Sequence, residues 1–388
     1  MPINPKVKLV ENVLEKAKLE QAPTRKGYGE GLLAAGEANE KVVALCADLT
    51  ESTQMHLFAK KFPQRFIEMG VAEQNLATVA AGLANYGKIP FISSYAMFSP
   101  GRNWEQIRTT ICYNEVPVKI AGSHAGVSVG PDGATHQAVE DIALMRPIPN
   151  MAVINPCDAN EAKKATIAAV GINGPVYLRF EREKTPVFTT PDTPFEIGRA
   201  EVFWDSGGSP SLRSGRLSLD AAIIACGPLV HNDILAAADL EKEGLKIRVV
   251  NNHTIKPMDE KTIIEAAKDA GAVVTVEEHQ VQGGMGSAVA EVLAKNHPVP
   301  MEFVGVQNRF GESGTPEELI ERFGMGVSHI KEAIKKVLKR KLNTISLPSV
   351  IPSPTLLSGL RKRRCIAIST ARNARFACVS PIKFRTRT

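Results

Sequence analysis

Residues 116–155 read VPVKIAGSHAGVSVGPDGATHQAVEDIALMRPIPNMAVIN. An apolar run, Val116–Gly122, leads into a glycine-rich polar loop. A helical pattern follows over Ala138–Arg146, and then a second apolar run, Met151–Asn155. Both runs are too apolar for strands with one solvated face, so they suit a parallel sheet covered by helices on both sides. Working outward, the same unit recurs. Val42–Ala47, Phe91–Ser94 and Val176–Phe180 read as further strands, and Glu73–Tyr86, Asn103–Cys112 and Ala159–Val170 as helices. The β-α-β rhythm predicts one doubly wound α/β domain over 23–190.

A Pro/Thr/Gly/Ser-rich stretch follows, and 191–219 reads as a linker in which 205–219 is an insertion. A second doubly wound α/β domain is predicted over 220–341. Its strands are Ala221–Cys226, Lys246–Asn251, Ala272–Glu277 and Met301–Val306. Its helices are Asp233–Glu243, Glu260–Ala270, Gly286–Lys295 and Pro316–Phe323, with a closing amphipathic basic helix over 329–341. Ahead of both, residues 1–22 read as an N-terminal helix, because Val7, Val10, Val13, Leu14 and Ala17 fall on one helical face. Both sheets are expected to be mainly parallel.

The chain has 388 residues and a formal net charge of +6. That charge is unevenly placed. Lys341–Thr388 carries ten Lys or Arg and no acidic residue, which leaves 37 basic against 41 acidic residues, or −4, over 1–340. The tail 342–388, rich in Ser, Thr and Arg, is predicted to be disordered because it lacks the apolar content to form a core. The acidic balance of the body speaks against nucleic-acid binding, and RKRR at 361–364 belongs to the tail. No stretch approaches the ~18 uninterrupted apolar residues of a membrane span, and residues 1–22 lack an apolar signal core, so a cytoplasmic location is the expectation. Cys46, Cys112, Cys157 and Cys226 lie in or beside apolar runs without CxxC spacing. They read as buried reduced thiols rather than as disulfides or a metal site.

Polar residues collect where strands end. Asp48 follows VVALCA, and Glu73 sits in EMGVAEQNLA, where a helix begins. His124 follows the strand VKIAG, and Asp132 and His136 lie in the loop SVGPDGATHQ. In an open parallel sheet the ligand crevice lies at the carboxyl ends of the strands, so these five should share one rim.

At these motifs the chain resembles transketolase over about residues 20–340. The likeness is to the pyrimidine-binding and C-terminal domains, in the form where the enzyme is split into two polypeptides. The matching segments are TRKGYGE (24–30), ADLTEST (47–53), GVAEQN (70–75), GPDGATHQAVED (130–141), LRFERE (178–183) and EEHQVQGGMG (277–286). The resemblance implies transfer of a two-carbon ketol unit between sugar phosphates, thiamine diphosphate as cofactor, and a place in pentose phosphate metabolism. It makes Glu73 the carboxylate that hydrogen-bonds the cofactor's aminopyrimidine; from position alone Glu73 is a helix N-terminal residue. His124 and His136 resemble histidines that move protons on the substrate's reacting oxygens, which imidazole suits near neutral pH. Phe98 resembles an aromatic packing on the aminopyrimidine, with Trp104 as another aromatic of that pocket and Asp48 at the cofactor's edge. Gly101 stands where a second aromatic is expected. Arg25, Ser52 and Arg182 resemble a phosphate clamp, and Asp132 a reader of a substrate hydroxyl; Arg179 is the alternative to Arg182 if the register slips. Core packing for the aromatics, and loop or helix-end hydrogen bonding for the polar residues, are the competing readings.

The family holds Mg²⁺ and the diphosphate through a GDG…N motif, and this chain has no GDG. The resemblance therefore assigns Mg²⁺ to a partner chain carrying that motif, no metal to this one, and a heterotetramer to the assembly. Gly283-Gly284-Met285-Gly286 is not GxGxxG, and reads as a close helix start rather than a nucleotide loop. Two alternatives remain open: a 1-deoxyxylulose-5-phosphate synthase-like or 2-oxo acid dehydrogenase β-chain-like subunit, and a non-enzymatic regulatory paralogue.

Overall fold

A computed structural model describes residues 2–207 and 219–345. The first sheet is built from β1 (Val42–Cys46), β2 (Phe66–Glu68), β3 (Ile89–Tyr95), β4 (Lys119–Ser123), β5 (Ala152–Ile154) and β6 (Val176–Arg179). The second holds β7 (Glu201–Asp205), β8 (Ala221–Ala225), β9 (Ile247–Asn251), β11 (Val273–Gln280) and β12 (Met301–Val306). A short strand between them in sequence, β10 (Thr254–Lys256), belongs to the first sheet. Among the described residues the orders are β10-β5-β6-β4-β3-β1-β2 and β12-β11-β8-β9-β7. Every ladder within the two sheets is parallel except the edge pairs β10–β5 and β9–β7. This is the mainly parallel, two-domain α/β architecture that the apolar runs predicted. Strands β1, β4, β6, β8 and β9 are buried at every position, as sheets covered on both faces require.

Helices α1 (Thr24–Ala38), α2 (Glu73–Asn85) and α3 (Ala159–Ala169) cover the first sheet. The helices of the second half are α4 (Val230–Lys242), α5 (Glu260–Ala270), α6 (Met285–Asn296), α7 (Pro316–Arg322) and α8 (Val327–Ile345). Close packing of α1 on α3 needs glycine: a Cβ on Gly27 would lie 2.0 Å from the Ala159 carbonyl oxygen.

Four expectations are corrected. The described part of the expected helix 1–22, residues 2–22, forms no α-helix; it makes two 3₁₀ turns, Pro5–Val7 and Lys16–Lys18, and a strand, Gln21–Ala22, paired with Thr185–Pro186. The reason is tertiary. The segment lies as a strap on the second domain's core, with Val7 and Val13 fully buried in it. Its backbone bonds outward, Asn4 N–H to the Phe203 carbonyl and Val10 N–H to that of Phe188, each near 3.0 Å. Burial of each valine is worth about 1.5–3 kcal/mol, more than the helix propensity of a short segment. Second, the proposed linker 191–219 contains β7, which pairs antiparallel with β9 and buries Phe203 and Trp204. Third, β10 crosses back to the first sheet, so the boundary along the chain is not the boundary in space. The closing helix runs from Val327 to Ile345, past the expected end at 341. Residues 208–218 of the insertion and 346–388 of the tail lie outside the described residues.

The buried seam between the two sheets is charged. Arg179, at the end of β6, is fully buried. It donates to Asp141 at 2.9 Å, to Glu181 at 3.4 Å and to the Glu278 carbonyl at 2.8 Å. Arg179 is therefore a structural ion pair, and the alternative that placed it at the substrate is set aside. Burial pushes the Glu181 carboxyl up to about 8, against the pull of Arg179. Cys46, Cys112, Cys157 and Cys226 are free and buried. No described helix is long and apolar enough to cross a membrane.

Candidate active site

The carboxyl ends of β2, β1, β3, β4 and β6, neighbours in the first sheet, deliver the candidate residues to one rim. After β2 the chain turns at Gly70, and Glu73 opens α2. Its side chain is only 5% exposed, yet one oxygen takes a 2.9 Å hydrogen bond from Arg102, whose side chain is half exposed. Asn103 fixes the helix start from the other side. Its side-chain amide donates to the Glu73 carbonyl at 3.0 Å and to Ser99 Oγ at 3.2 Å.

At the end of β3 stands an aromatic group that the sequence reading missed. Tyr95 stacks on His124, ring centroids 3.8 Å apart, and on Phe98 at 5.8 Å and 22°. His136 and Phe98 meet in a T-shaped contact, ring centroids 5.4 Å apart. Gly101 stands three residues after Phe98, and the ring stacked near Phe98 is Tyr95, three residues before it. Gly101 cannot be aromatic here, because a Cβ would fall 1.9 Å from the Met97 carbonyl oxygen. Trp104 is not part of the stack; its indole donates to the Leu144 carbonyl at 2.9 Å and packs on the core beneath. The ring contacts among the described residues join Tyr95, Phe98, His124 and His136 and leave Trp104 out. Core packing, the competing reading, describes its place.

His124 follows β4 directly, in the left-handed region at φ 57, and its Nδ1 lies 2.9 Å from Ser123 Oγ. Burial above all, then the charges of Arg25, Arg182 and His136, push its pKa down to about 2. The ring is neutral at any physiological pH, and the same influences place two arginines and a second histidine around it. Desolvation and the neighbouring Arg182 also lower Arg25.

Arg25 and Arg182 stand side by side. Arg25 donates to the carbonyls of Ser52 at 2.6 Å and Arg182 at 3.1 Å. Arg182 donates to the Val129 carbonyl at 2.7 Å and lies 3.6 Å from Asp132 and 3.4 Å from Glu183. Arg25, Ser52, Asp132 and Arg182 thus form one polar wall beside His124. Asp48 is exposed and left-handed at φ 58 after β1. Glu68 holds its loop, accepting from the amides of Asp48 at 2.7 Å and Gly70 at 3.1 Å and from the Thr50 hydroxyl at 2.8 Å.

The second domain buttresses this rim. Gln137 donates to the carbonyls of Val127, Gly130 and Glu312 at about 3 Å, pinning the Asp132–His136 loop from inside. The buried Glu278 accepts from the Ser128 amide at 2.6 Å. Neither Gln137 nor Glu278 was singled out as a support. Glu278 was visible only as part of the EEHQVQGGMG segment.

Comparison with known proteins follows the same division of the chain. Residues 20–187 match the transketolase pyrimidine-binding domain and 214–330 the transketolase C-terminal domain. A putative transketolase C-terminal section from Methanocaldococcus jannaschii is 43% identical over 82% of this chain and 96% of its own length. The chain belongs to the transketolase family. It corresponds to the C-terminal part of the split, two-chain form. A 6-deoxy-6-sulfo-D-fructose transketolase subunit from Clostridium sp. (strain MSTE9) is 37% identical over 84% of this chain and 98% of that protein. A solved structure described as a split-gene transketolase, inactive β4 tetramer, is 46% identical over 82% of this chain and 99% of its own, with a TM-score of 0.75. Against a longer relative, transketolase-like protein 2 of Mus musculus, this transketolase chain spans about half, 49%, at 36% identity.

Proposed function

We propose that this transketolase chain supplies the cofactor-activating and substrate-holding half of a thiamine diphosphate-dependent ketol transferase, and that a partner chain with the GDG…N motif supplies the Mg²⁺–diphosphate half. The observation that carries the reading is the pairing of a nearly buried carboxylate, Glu73, with an offset-stacked ring pair, Tyr95 and Phe98, beside an arginine wall. That pocket fits a flat heterocycle that needs a carboxyl partner on a ring nitrogen, and the fit supports the cofactor. When bound, thiamine diphosphate supplies a carbon nucleophile and an electron sink.

The chain's own residues have separable tasks. Glu73 shares a proton with the aminopyrimidine nitrogen. Tyr95 and Phe98 pack on and beside that ring, and Asp48 lies at its edge. His124, neutral and fixed by Ser123 and Tyr95, accepts or donates a hydrogen bond at the substrate's reacting oxygen, and His136 serves the second oxygen. Arg182, assisted by Arg25 and Ser52, takes the distal anion, since a guanidinium fork holds two oxygens at once. Asp132 reads a hydroxyl along the substrate. A phosphate and a sulfonate present similar oxygens, so the same wall accommodates either. The transketolase relatives named for 6-deoxy-6-sulfo-D-fructose and apulose 4-phosphate support a substrate range set by this wall.

The expected assembly is a heterotetramer of two copies of each chain, and the chain by itself is expected to be inactive. The relative solved as an inactive β4 tetramer supports that expectation. The test is a donor panel with the reconstituted pair. Ketose phosphates and a sulfoketose should be consumed with an aldose phosphate acceptor, and pyruvate should not. Turnover of pyruvate alone would favour the synthase or dehydrogenase reading instead.

A further inference from the structure

One guanidinium occupies both features that define the cofactor pocket. Arg102 Nη1 lies 2.9 Å from Glu73 Oε1, and its Cζ stands 4.2 Å above the centre of the Phe98 ring. Tyr95 is stacked near the same ring at 5.8 Å and His136 stands roughly perpendicular to it at 5.4 Å, so Phe98 is the centre of the group that Arg102 covers. The Arg102 amide donates to the Phe98 carbonyl at 2.8 Å, which places both residues on one turn.

We propose that Arg102 is a latch on the cofactor half-site, an inference that rests on Glu73 facing the aminopyrimidine. In the free subunit the latch keeps a nearly buried carboxylate paired, because a buried charge without a partner is strongly destabilising. When the heterocycle enters, its ring nitrogen replaces the guanidinium at Glu73 and its flat face replaces it on Phe98. The half-exposed Arg102 head swings into solvent at little cost. One hydrogen bond is exchanged for another, and the barrier is that of breaking the first. Arg102 is a positioning residue; it touches the reacting atoms in neither state.

Two measurements test this. On the free chain, the melting-temperature losses of Glu73→Gln, Arg102→Gln and the double variant form a cycle. The latch predicts non-additive losses, the double variant being more stable than Arg102→Gln because it no longer strands a buried carboxylate. Additive losses would show that the pair does not form in solution and would overturn it. In the complex with the partner chain, protein fluorescence follows association of thiamine diphosphate with Mg²⁺. Arg102→Gln should associate about tenfold faster, the rate equivalent of one charge-assisted hydrogen bond, and Arg102→Lys, which keeps the charge without the planar cover, should fall between. An unchanged or slower association in both variants would overturn the latch. The underlying reading fails separately: were Glu73 not at the cofactor, Glu73→Gln would leave turnover of the complex intact. If only the latch fails, Glu73→Gln still abolishes turnover while Arg102→Gln leaves the association rate unchanged.

Discussion

The two parallel sheets put their carboxyl ends to different uses. At the first, Asp48, Glu73, Phe98, His124 and Arg182 surround a partly open rim. At the second, the corresponding positions are filled from within. Cys226, Asn251, Asn252, His253, Glu277 and Glu278 are all buried. Glu277 is capped by the amides of Met285 at 2.6 Å and Gly286 at 2.8 Å, and Glu278 is spent on Ser128. The glycines of 283–286 do what their spacing suggested. A Cβ on Gly284 would lie 2.2 Å from Glu277 Oε2, and one on Gly286 2.4 Å from Thr275 Oγ1, so they let α6 start against the sheet. Burial raises Glu277 to about 7, and the two amides offset part of that. An open parallel sheet offers a place for a ligand; only the side chains at its strand ends decide whether there is one.

Substitutions on the two sides should therefore read out differently. The largest effect belongs to the first rim. Glu73→Gln should lower turnover of the reconstituted pair by about 10²–10⁴-fold, the worth of a lost proton partner, with the fold retained by circular dichroism. Retained turnover would remove the distinction between the rims. Next is the seam. Arg179→Leu strands Asp141 and Glu181 as buried carboxyls without their cation, and should cost about 3–5 kcal/mol in denaturant unfolding. A smaller loss follows Gly286→Ala in the second domain. The close contact should cost about 1–3 kcal/mol of stability, while turnover per folded molecule stays within about twofold. A specific loss of turnover there would mean that the second sheet's strand ends take part in the chemistry. The smallest effect is that of ending the chain after Ile345, which should leave turnover unchanged, because the matched family domains end at 330 and the +10 of the tail lies beyond 340.

Much of this was legible in the sequence because it is local. The apolar runs at 42–47, 176–180 and 221–226 fall within a residue of their strands, and the strand-end positions of Asp48 and Arg182 follow from the first two. What was not legible depends on long-range packing. Residues 1–22 carry a helical apolar pattern, but Val7 and Val13 are claimed by the second domain's core. Thr254–Lys256 is too short to announce itself, and its partner is a hundred residues away in the other domain. Tyr95 was hidden because it ends a strand, where an aromatic needs no further explanation. Arg102 was hidden because its significance lies in a contact with a residue 29 positions earlier. The initial +6 was the least informative number, being a −4 body summed with a basic tail.

The central claim is that half an active site resides in this chain. The direct measurement is ketol transfer from a ketose phosphate, with thiamine diphosphate and Mg²⁺, by the chain alone, by the partner alone and by the two mixed. Turnover should require the mixture and saturate at equimolar chains. Full-rate turnover by this chain alone would contradict the account.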